Sequence, residues 1–109
     1  MTKGLVLVAA PIHQILRNGL LAIGFELIVK EDITQEEGYL LVAQCVGIIT
    51  STRLQIDTQM LDNAPNLKWI GRMGSGMEVI DVPYAESKGI NCFGSPEGNS
   101  NSVAEQIGR

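Results

Sequence analysis

The segment Gly74-Ser75-Gly76 has the residue types in this sequence that are best suited to holding a ligand. Because glycines flank the serine, the backbone N–H groups of such a loop can approach an anion closely, and a carboxylate is the natural guest. The segment also matches the first half of a G-x-G-x-x-G dinucleotide fingerprint, but its sixth position is Val79. The helix cap expected at Asp81 also lies too far along the chain for a pyrophosphate to rest on that helix end. The alternative to an anion-binding loop is a tight turn with no ligand.

Five other side chains have types that take part in catalysis or ligation. His13 is the only histidine, and its place on the first predicted helix indicates a surface or helix-end residue more than a general base. Asp81 and Glu105 are better explained as a helix cap and an early helical carboxylate than as an acid/base pair. Cys45 and Cys92 are predicted to be buried thiols in a reducing compartment. A disulfide or a metal site is the weaker alternative for these two cysteines.

Composition limits the class of protein. The chain has 109 residues, 45% hydrophobic and 18% charged, with a net charge of -4, which predicts one folded domain. No basic cluster is present to bind a nucleic acid, and no apolar run reaches the roughly 18 residues of a membrane span. The apolar run from Leu5 to Val8 is interpreted as a first strand and not as a signal peptide, so we expect a cytoplasmic protein.

Apolar runs alternate with helical patterns along the whole chain. Strands are predicted over residues 4–9, 25–29, 46–49, 67–70 and 90–93. A helix should begin at Pro11, a second at the capping box formed by Thr34 and Glu37, a third at Asp57 or Thr58, and a fourth at Asp81, ending at Lys88-Gly89. The pattern predicts an α/β fold, a flavodoxin-like, doubly wound, five-stranded parallel sheet with helices on both faces.

Ligands of such sheets bind beyond the carboxyl ends of the strands. That rule indicates residues 10–11, 50–53, 73–76 and 94–99. Residues 94–101 have the composition of a loop, and residues 102–107 look like the first turns of a helix.

Two blocks of sequence resemble a known family. The first runs from Gly71 to Ile90 and follows the pattern G-R-x-G-x-G, then I-D, then A, then K-G-I. The second, from Pro96 to Glu105, is similar to the pattern P-x-x-N-S/T-x-S-V-A-E. Together, and at this spacing, they resemble the D-isomer-specific 2-hydroxyacid dehydrogenases, and within them the phosphoglycerate dehydrogenases.

The resemblance implies a substrate-binding domain over residues 1–98 and the start of an interdomain crossing helix over residues 99–109. It also implies roles for particular residues. The backbone amides of Ser75 and Gly76 would hold the substrate carboxylate, with Gly74 allowing the turn. Ser75 would also touch the nicotinamide side of the cofactor. Asn99 would lie near the interdomain cleft. Ser100 and Gln106, on the crossing, would face the cofactor.

Arg53 marks a departure from the family pattern. Phosphoglycerate dehydrogenases carry an arginine near the position of Ile49 here, whereas Arg53 stands where the family tends to have Lys or His. A guanidinium suits a phosphate or a carboxylate, so Arg53 is a candidate substrate ligand. A solvated loop arginine is the alternative. The departure leaves 3-phosphoglycerate as only one candidate among the 2-hydroxy acids.

The family's catalytic arginine, carboxylate and histidine, and its glycine fingerprint, all come after the crossing. The resemblance thus implies a parent enzyme that moves a hydride between C2 of a 2-hydroxy or 2-keto acid and NAD, which is bound mainly by a domain outside this chain. This chain would contribute no catalytic residue and would be inactive alone. The parent is expected to be a homodimer. The isolated chain is expected to dimerise or aggregate, because segments that return to cover it in the family are missing.

The second hypothesis is a stand-alone flavodoxin-like module that binds a ligand or regulates a partner. A reading frame that continues past codon 109 into G-x-G-x-x-G would favour the enzyme, and a stop codon would favour the module. The choice between NAD and NADP stays open, because the residue that recognises the ribose would lie outside this chain.

Overall fold

A computed structural model describes residues 4–12, 14–51, 54–73 and 80–95. Five parallel strands form one sheet in the order β2-β1-β3-β4-β5. The strands are β1 (Gly4–Val8), β2 (Phe25–Val29), β3 (Cys45–Thr50), β4 (Trp69–Met73) and β5 (Asn91–Ser95). The helices are α1 (Gln14–Ile23), α2 (Gln35–Leu41), α3 (Thr58–Asp62) and α4 (Val82–Ser87), and a 3-10 helix (Val42–Gln44) follows α2. The predicted flavodoxin-like parallel sheet is confirmed.

The strand order determines which helix covers which face. The chain moves one way across the sheet from β1 to β2 and the other way from β2 through β5. Right-handed crossovers therefore place α1 on one face and α2, α3 and α4 on the other. The core is divided accordingly. Leu16 and Leu20 of α1 pack with Val6 and Val8, whereas Met60 and other residues of the second group of helices belong to a larger cluster.

An aromatic row lies on the α1 face. The ring of Trp69 lies between Phe25 and Phe93, with centroids 6.0 Å from each. Gly47 on β3 makes room for it, because a Cβ at that position would meet the indole at 2.2 Å. The absence of a side chain at Gly47 therefore lets a large ring reach across β3 and fill a face on which the structure describes a single helix.

The helix ends follow from local side-chain chemistry. Thr34 accepts from the Glu37 N–H while Glu37 accepts from the Thr34 N–H, so the predicted capping box is confirmed. Asp57, one of the two caps proposed for α3, accepts from the backbone of Met60, and Asp81 caps α4. Gly89 ends α4 with φ +80°, a conformation that favours glycine.

Several predicted boundaries were wrong. β4 does not span residues 67–70 but Trp69–Met73, because Gly71 and Arg72 pair with β3 on one side and β5 on the other. β5 likewise runs to Ser95 in place of residue 93, and β3 is one residue longer at each end than predicted. β1 ends at Val8, one residue early, and α1 begins at Gln14 and not at Pro11. The 3-10 helix was not predicted.

Both cysteines are free thiols, as predicted. Cys45 is buried, but Cys92 is only partly so. Desolvation raises the pKa of the Cys45 thiol to about 11, and burial also raises the pKa of Cys92. Neither is therefore poised as a nucleophile. Within the described ranges, no helix has the length and apolarity needed to cross a membrane.

Candidate functional site

The carboxyl ends of β3, β4 and β5 lie at the same edge of the sheet. Thr50 is the register partner of Arg72, and Arg72 is in turn the partner of Gly94. The connections that leave these strands therefore start side by side. This is the edge at which parallel α/β sheets bind ligands.

The connection after β3 and the connection after β4 are joined to each other. Ile56 and Ile80 form a parallel bridge, and the Asp81 N–H donates to the Ile56 carbonyl at 2.9 Å. Both isoleucines are buried, with 0% and 5% of their surface exposed. The far ends of these two connections are therefore fixed relative to one another just before the chain enters α3 and α4.

Side chains also anchor the connection after β3. The buried hydroxyl of Thr50 donates to the Leu54 carbonyl at 3.3 Å. Gln35 at the start of α2 makes two bonds to the backbone of Gln55: its Nε2 donates to the carbonyl at 2.7 Å, and its Oε1 accepts from the N–H at 3.0 Å. The Tyr39 hydroxyl donates to Oδ2 of Asp57 at 3.0 Å, while Oδ1 of Asp57 caps α3. Three side chains, one from β3 and two from α2, thus hold a segment that flanks Arg53 in the sequence.

Arg72 places a guanidinium in the interior at this edge of the sheet. Only 6% of the residue is exposed, and its Nη1 donates to the carbonyl of Met73, the last residue of β4. A charged side chain is buried at this depth only when polar groups compensate it. From the sequence alone, Arg72 is only part of the family motif and has no predicted role of its own. A charged residue inside a run of buried strand positions was the signal that could have singled it out.

An open cleft of about 620 Å³ lies beside these strand ends. Its lining comes from the connections after β1, β2 and β3, and includes Pro11, Lys30, Asp32 and Ser51. Lys30 contacts Glu37 at 3.4 Å, and both side chains are nearly half exposed, so this ion pair contributes little to stability. The pKa of Glu37 is lowered mainly by the hydrogen bond from the Thr34 backbone N–H, and Lys30 lowers it to a smaller extent. The cleft carries charges of both signs and shows no preference for an anion.

The residues predicted to bind substrate or cofactor lie outside the described residues. They are Arg53, Gly74, Ser75, Gly76, Asn99, Ser100 and Gln106, and the same holds for His13 and Glu105. Their roles stay predictions. The structure describes the ends from which two of these segments start: Ser51 and Leu54 around Arg53, and Met73 and Ile80 around the glycine loop.

The described residues do not fit the pyrophosphate of a dinucleotide. In nucleotide-binding sheets the turn after the first strand supplies glycines and free N–H groups at a helix end. Here that turn runs through Ala9, Ala10 and Pro11, without a glycine and with a proline that has no N–H. Among the described residues there is also no group of three His, Cys, Asp or Glu side chains that could hold a metal ion.

Comparison with known proteins identifies related chains. A family model described as the catalytic domain of D-isomer specific 2-hydroxyacid dehydrogenases matches residues 6–107. D-3-phosphoglycerate dehydrogenase of Archaeoglobus fulgidus is 35% identical over 100 residues, which cover 92% of this chain and 19% of that protein. The human D-3-phosphoglycerate dehydrogenase is 30% identical over 93 residues, or 85% of this chain and 17% of its own length.

The fold is shared with solved structures of such enzymes. The structure of 3-phosphoglycerate dehydrogenase from Entamoeba histolytica with bound NAD⁺ superposes with a TM-score of 0.74 at 24% identity, covering 96% of this chain and 37% of that one. The chain spans about a fifth of the length of each of these two D-3-phosphoglycerate dehydrogenases. The match of the family model to nearly all of the sequence shows that this chain belongs to the D-isomer specific 2-hydroxyacid dehydrogenase family.

Proposed function

We propose that this chain is the substrate-binding domain of an NAD-dependent oxidoreductase that acts on the CH–OH group of a D-2-hydroxy acid. The observation that carries the proposal is the joining of the connections after β3 and β4 at the carboxyl edge, in a chain whose family match is to a dehydrogenase catalytic domain. The described far ends of two loops are thus held together at this edge, which suits recognition of a small acid. Phosphoglycerate is a candidate substrate because the named relatives are D-3-phosphoglycerate dehydrogenases.

The proposed division of roles follows the family motifs. The backbone N–H groups of Ser75 and Gly76 hold the substrate carboxylate after the turn at Gly74. Arg53 meets a second anionic group of the substrate, and Asn99 lies near the cleft. These five residues extend the β3 and β4 connections and the segment after β5, whose strand ends lie side by side.

By the family resemblance, NAD would be held mainly by sequence outside this chain. In support, the turn after β1, at residues 9–11, lacks the glycines of a pyrophosphate site. Ser75, Ser100 and Gln106 would face NAD from the substrate side. The catalytic groups would also come from outside, so the chain alone would be inactive. The full-length parent would act as a homodimer.

The first test is activity. The complete protein that contains this chain is assayed for NADH oxidation with a panel of 2-keto acids, including phosphohydroxypyruvate, beside the 109-residue chain alone. We expect activity in the complete protein and none in the chain. Turnover by the chain alone would refute the division of roles, and a complete protein inactive on every acid would refute the reaction class.

The second test separates the backbone of Ser75 from its side chain. Ser75→Pro removes the N–H, and a hydrogen bond to a charged group contributes about 1.5–3 kcal/mol, so the KM for the acid should rise roughly 10- to 150-fold. Ser75→Ala is the matched control, because it keeps the N–H and should leave that KM near the wild-type value. A change in the KM for NADH with Ser75→Ala would support the contact of the hydroxyl with the cofactor. An unchanged KM for the acid in Ser75→Pro would remove Ser75 from the site.

A further inference from the structure

The side chain of Gln35 imitates a strand neighbour of the connection after β3. Its carboxamide offers an acceptor to the Gln55 N–H at 3.0 Å and a donor to the Gln55 carbonyl at 2.7 Å. An adjacent β-strand residue would present the same pair of groups. The Gln55 backbone therefore has both of its hydrogen-bonding groups satisfied by one side chain that is 20 positions away in the sequence.

The segment Leu54–Ile56 is supported from two sides. Gln35 pairs with its central residue, and Ile80 and Asp81 pair with Ile56. Leu54 and Ile56 are both fully buried, whereas the side chain of Gln55 between them is exposed. Burial thus fixes the depth of the segment, and the two lateral pairings fix its position along the edge of the sheet.

The backbone that carries Gln35 is held by a cap. Gln35 is the first residue of α2, directly after the cap Thr34. The capping box between Thr34 and Glu37 satisfies two N–H groups at this helix start. The Gln35 side chain therefore reaches Gln55 from a stabilised first turn.

We propose that Gln35 is a positioning residue of the substrate site, which holds the Leu54–Ile56 backbone in place and so sets the geometry of the connection after β3. The inference rests on the proposed function, because that connection is assigned there to the substrate. Gln35 touches no substrate. It acts through the backbone that leads from Leu54 into α3.

The first experiment compares Gln35→Ala with Gln14→Ala in the complete protein. Gln14 is the matched control, since it is also the first residue of a helix and its side chain makes one exposed bond, to Asn18 at 3.3 Å. Gln35→Ala should raise the KM for the 2-keto acid about tenfold, equivalent to 1.4 kcal/mol, and leave kcat within about twofold. Gln14→Ala should change neither constant. Because both Gln35 bonds are exposed, global unfolding should shift little.

Gln35→Glu supplies a readout that a general loss of stability would not produce. The substituted carboxylate can still accept from the Gln55 N–H, but it repels the Gln55 carbonyl. Protonation restores the donor, so the KM ratio of variant to wild type should stay high from about pH 8 to about pH 6 and fall toward one only as the pH approaches the ordinary glutamate pKa of about 4.3. A ratio independent of pH would overturn the role assigned to the carboxamide.

Amide hydrogen exchange at Gln55 distinguishes failure of the inference from failure of the proposed function. Gln35→Ala should speed exchange of the Gln55 N–H, and Gln14→Ala should not. An active wild type whose KM is unchanged by Gln35→Ala, or unchanged exchange at Gln55, overturns the inference and leaves the proposed function intact. A wild type inactive on every 2-keto acid refutes the proposed function, whatever the exchange rates are.

Discussion

Replacing Gly47 by alanine should displace the only tryptophan of the chain. The added Cβ would lie 2.2, 2.3 and 2.6 Å from three ring atoms of Trp69. Ordinary contacts between carbons are about 3.5–4.0 Å, so the ring must retreat by roughly 1.3 Å. It has little room to do so, because Trp69 is 8% exposed and packs edge-on against Phe25 and stacks on Phe93.

The cost follows from these contacts. Overpacking a core costs about 1–3 kcal/mol, and each disturbed aromatic pair adds up to about 1 kcal/mol. We expect Gly47→Ala to lower the free energy of unfolding by roughly 2–4 kcal/mol, which corresponds to a fall in Tm of at least about 10 °C. The native emission of Trp69 should also move to longer wavelength as the ring is pushed toward solvent.

Urea unfolding of the purified chain, at a dilution at which light scattering shows a single species, measures both effects through tryptophan fluorescence. Gly19→Ala on α1 is the control, because its Cβ would meet nothing within 4 Å. That variant should gain about 0.5–1 kcal/mol from helix propensity. In a Trp69→Phe background, followed by circular dichroism, the penalty of Gly47→Ala should shrink. A Gly47→Ala protein with wild-type stability and emission would refute the packing of the indole over β3.

Three further predictions concern single groups. Thr34→Ala should lower stability by about 1 kcal/mol at neutral pH. Because the pKa of Glu37 is lowered, its contribution to the capping box is present above the ordinary glutamate pKa and lost as the pH falls through the lowered value, so thermal unfolding in acid should show a smaller difference from wild type. The buried Cys45 thiol has a pKa of about 11, so mass spectrometry should show that it resists alkylation near pH 8. The contribution of this neutral thiol to the stability of the fold should decline as the pH rises from the ordinary thiol pKa to about 11. Tyr84→Phe should raise the pKa of Asp62 toward its ordinary value in an NMR titration, because the Tyr84 hydroxyl is the main cause of its lowering.

Features set by neighbouring residues could be predicted from the sequence. β2 has the predicted bounds because Gly24 and the polar turn at residues 30–32 enclose a run of five suitable residues. The caps at Thr34 and Asp81 could be predicted because each side-chain oxygen accepts a hydrogen bond from the backbone N–H three residues later. The family motifs added the proposed site loops, whose residues fall outside the described part of the chain.

Features set across the sheet could not be predicted in this way. The glycine-containing segment that starts at Gly71 predicts that the strand ends at residue 70, although pairing with two neighbours carries β4 to Met73. Gln35 shows no sign of its role in its own segment, because its partner Gln55 is brought to it by the fold. The ring of Trp69 over Gly47 likewise depends on register between strands.

The strand β4 connects the packing of the sheet to the candidate site. All five of its residues are buried, and it pairs on both sides, so its carboxyl end is fixed in position. The connections that follow Thr50 and Met73 start from this fixed edge. Ile56 and Ile80 join the described far ends of those connections. If the proposed function holds, Leu54–Ile56 and Ile80 should therefore shift together when an acid binds, and Gln35 should restrain them from the side of α2.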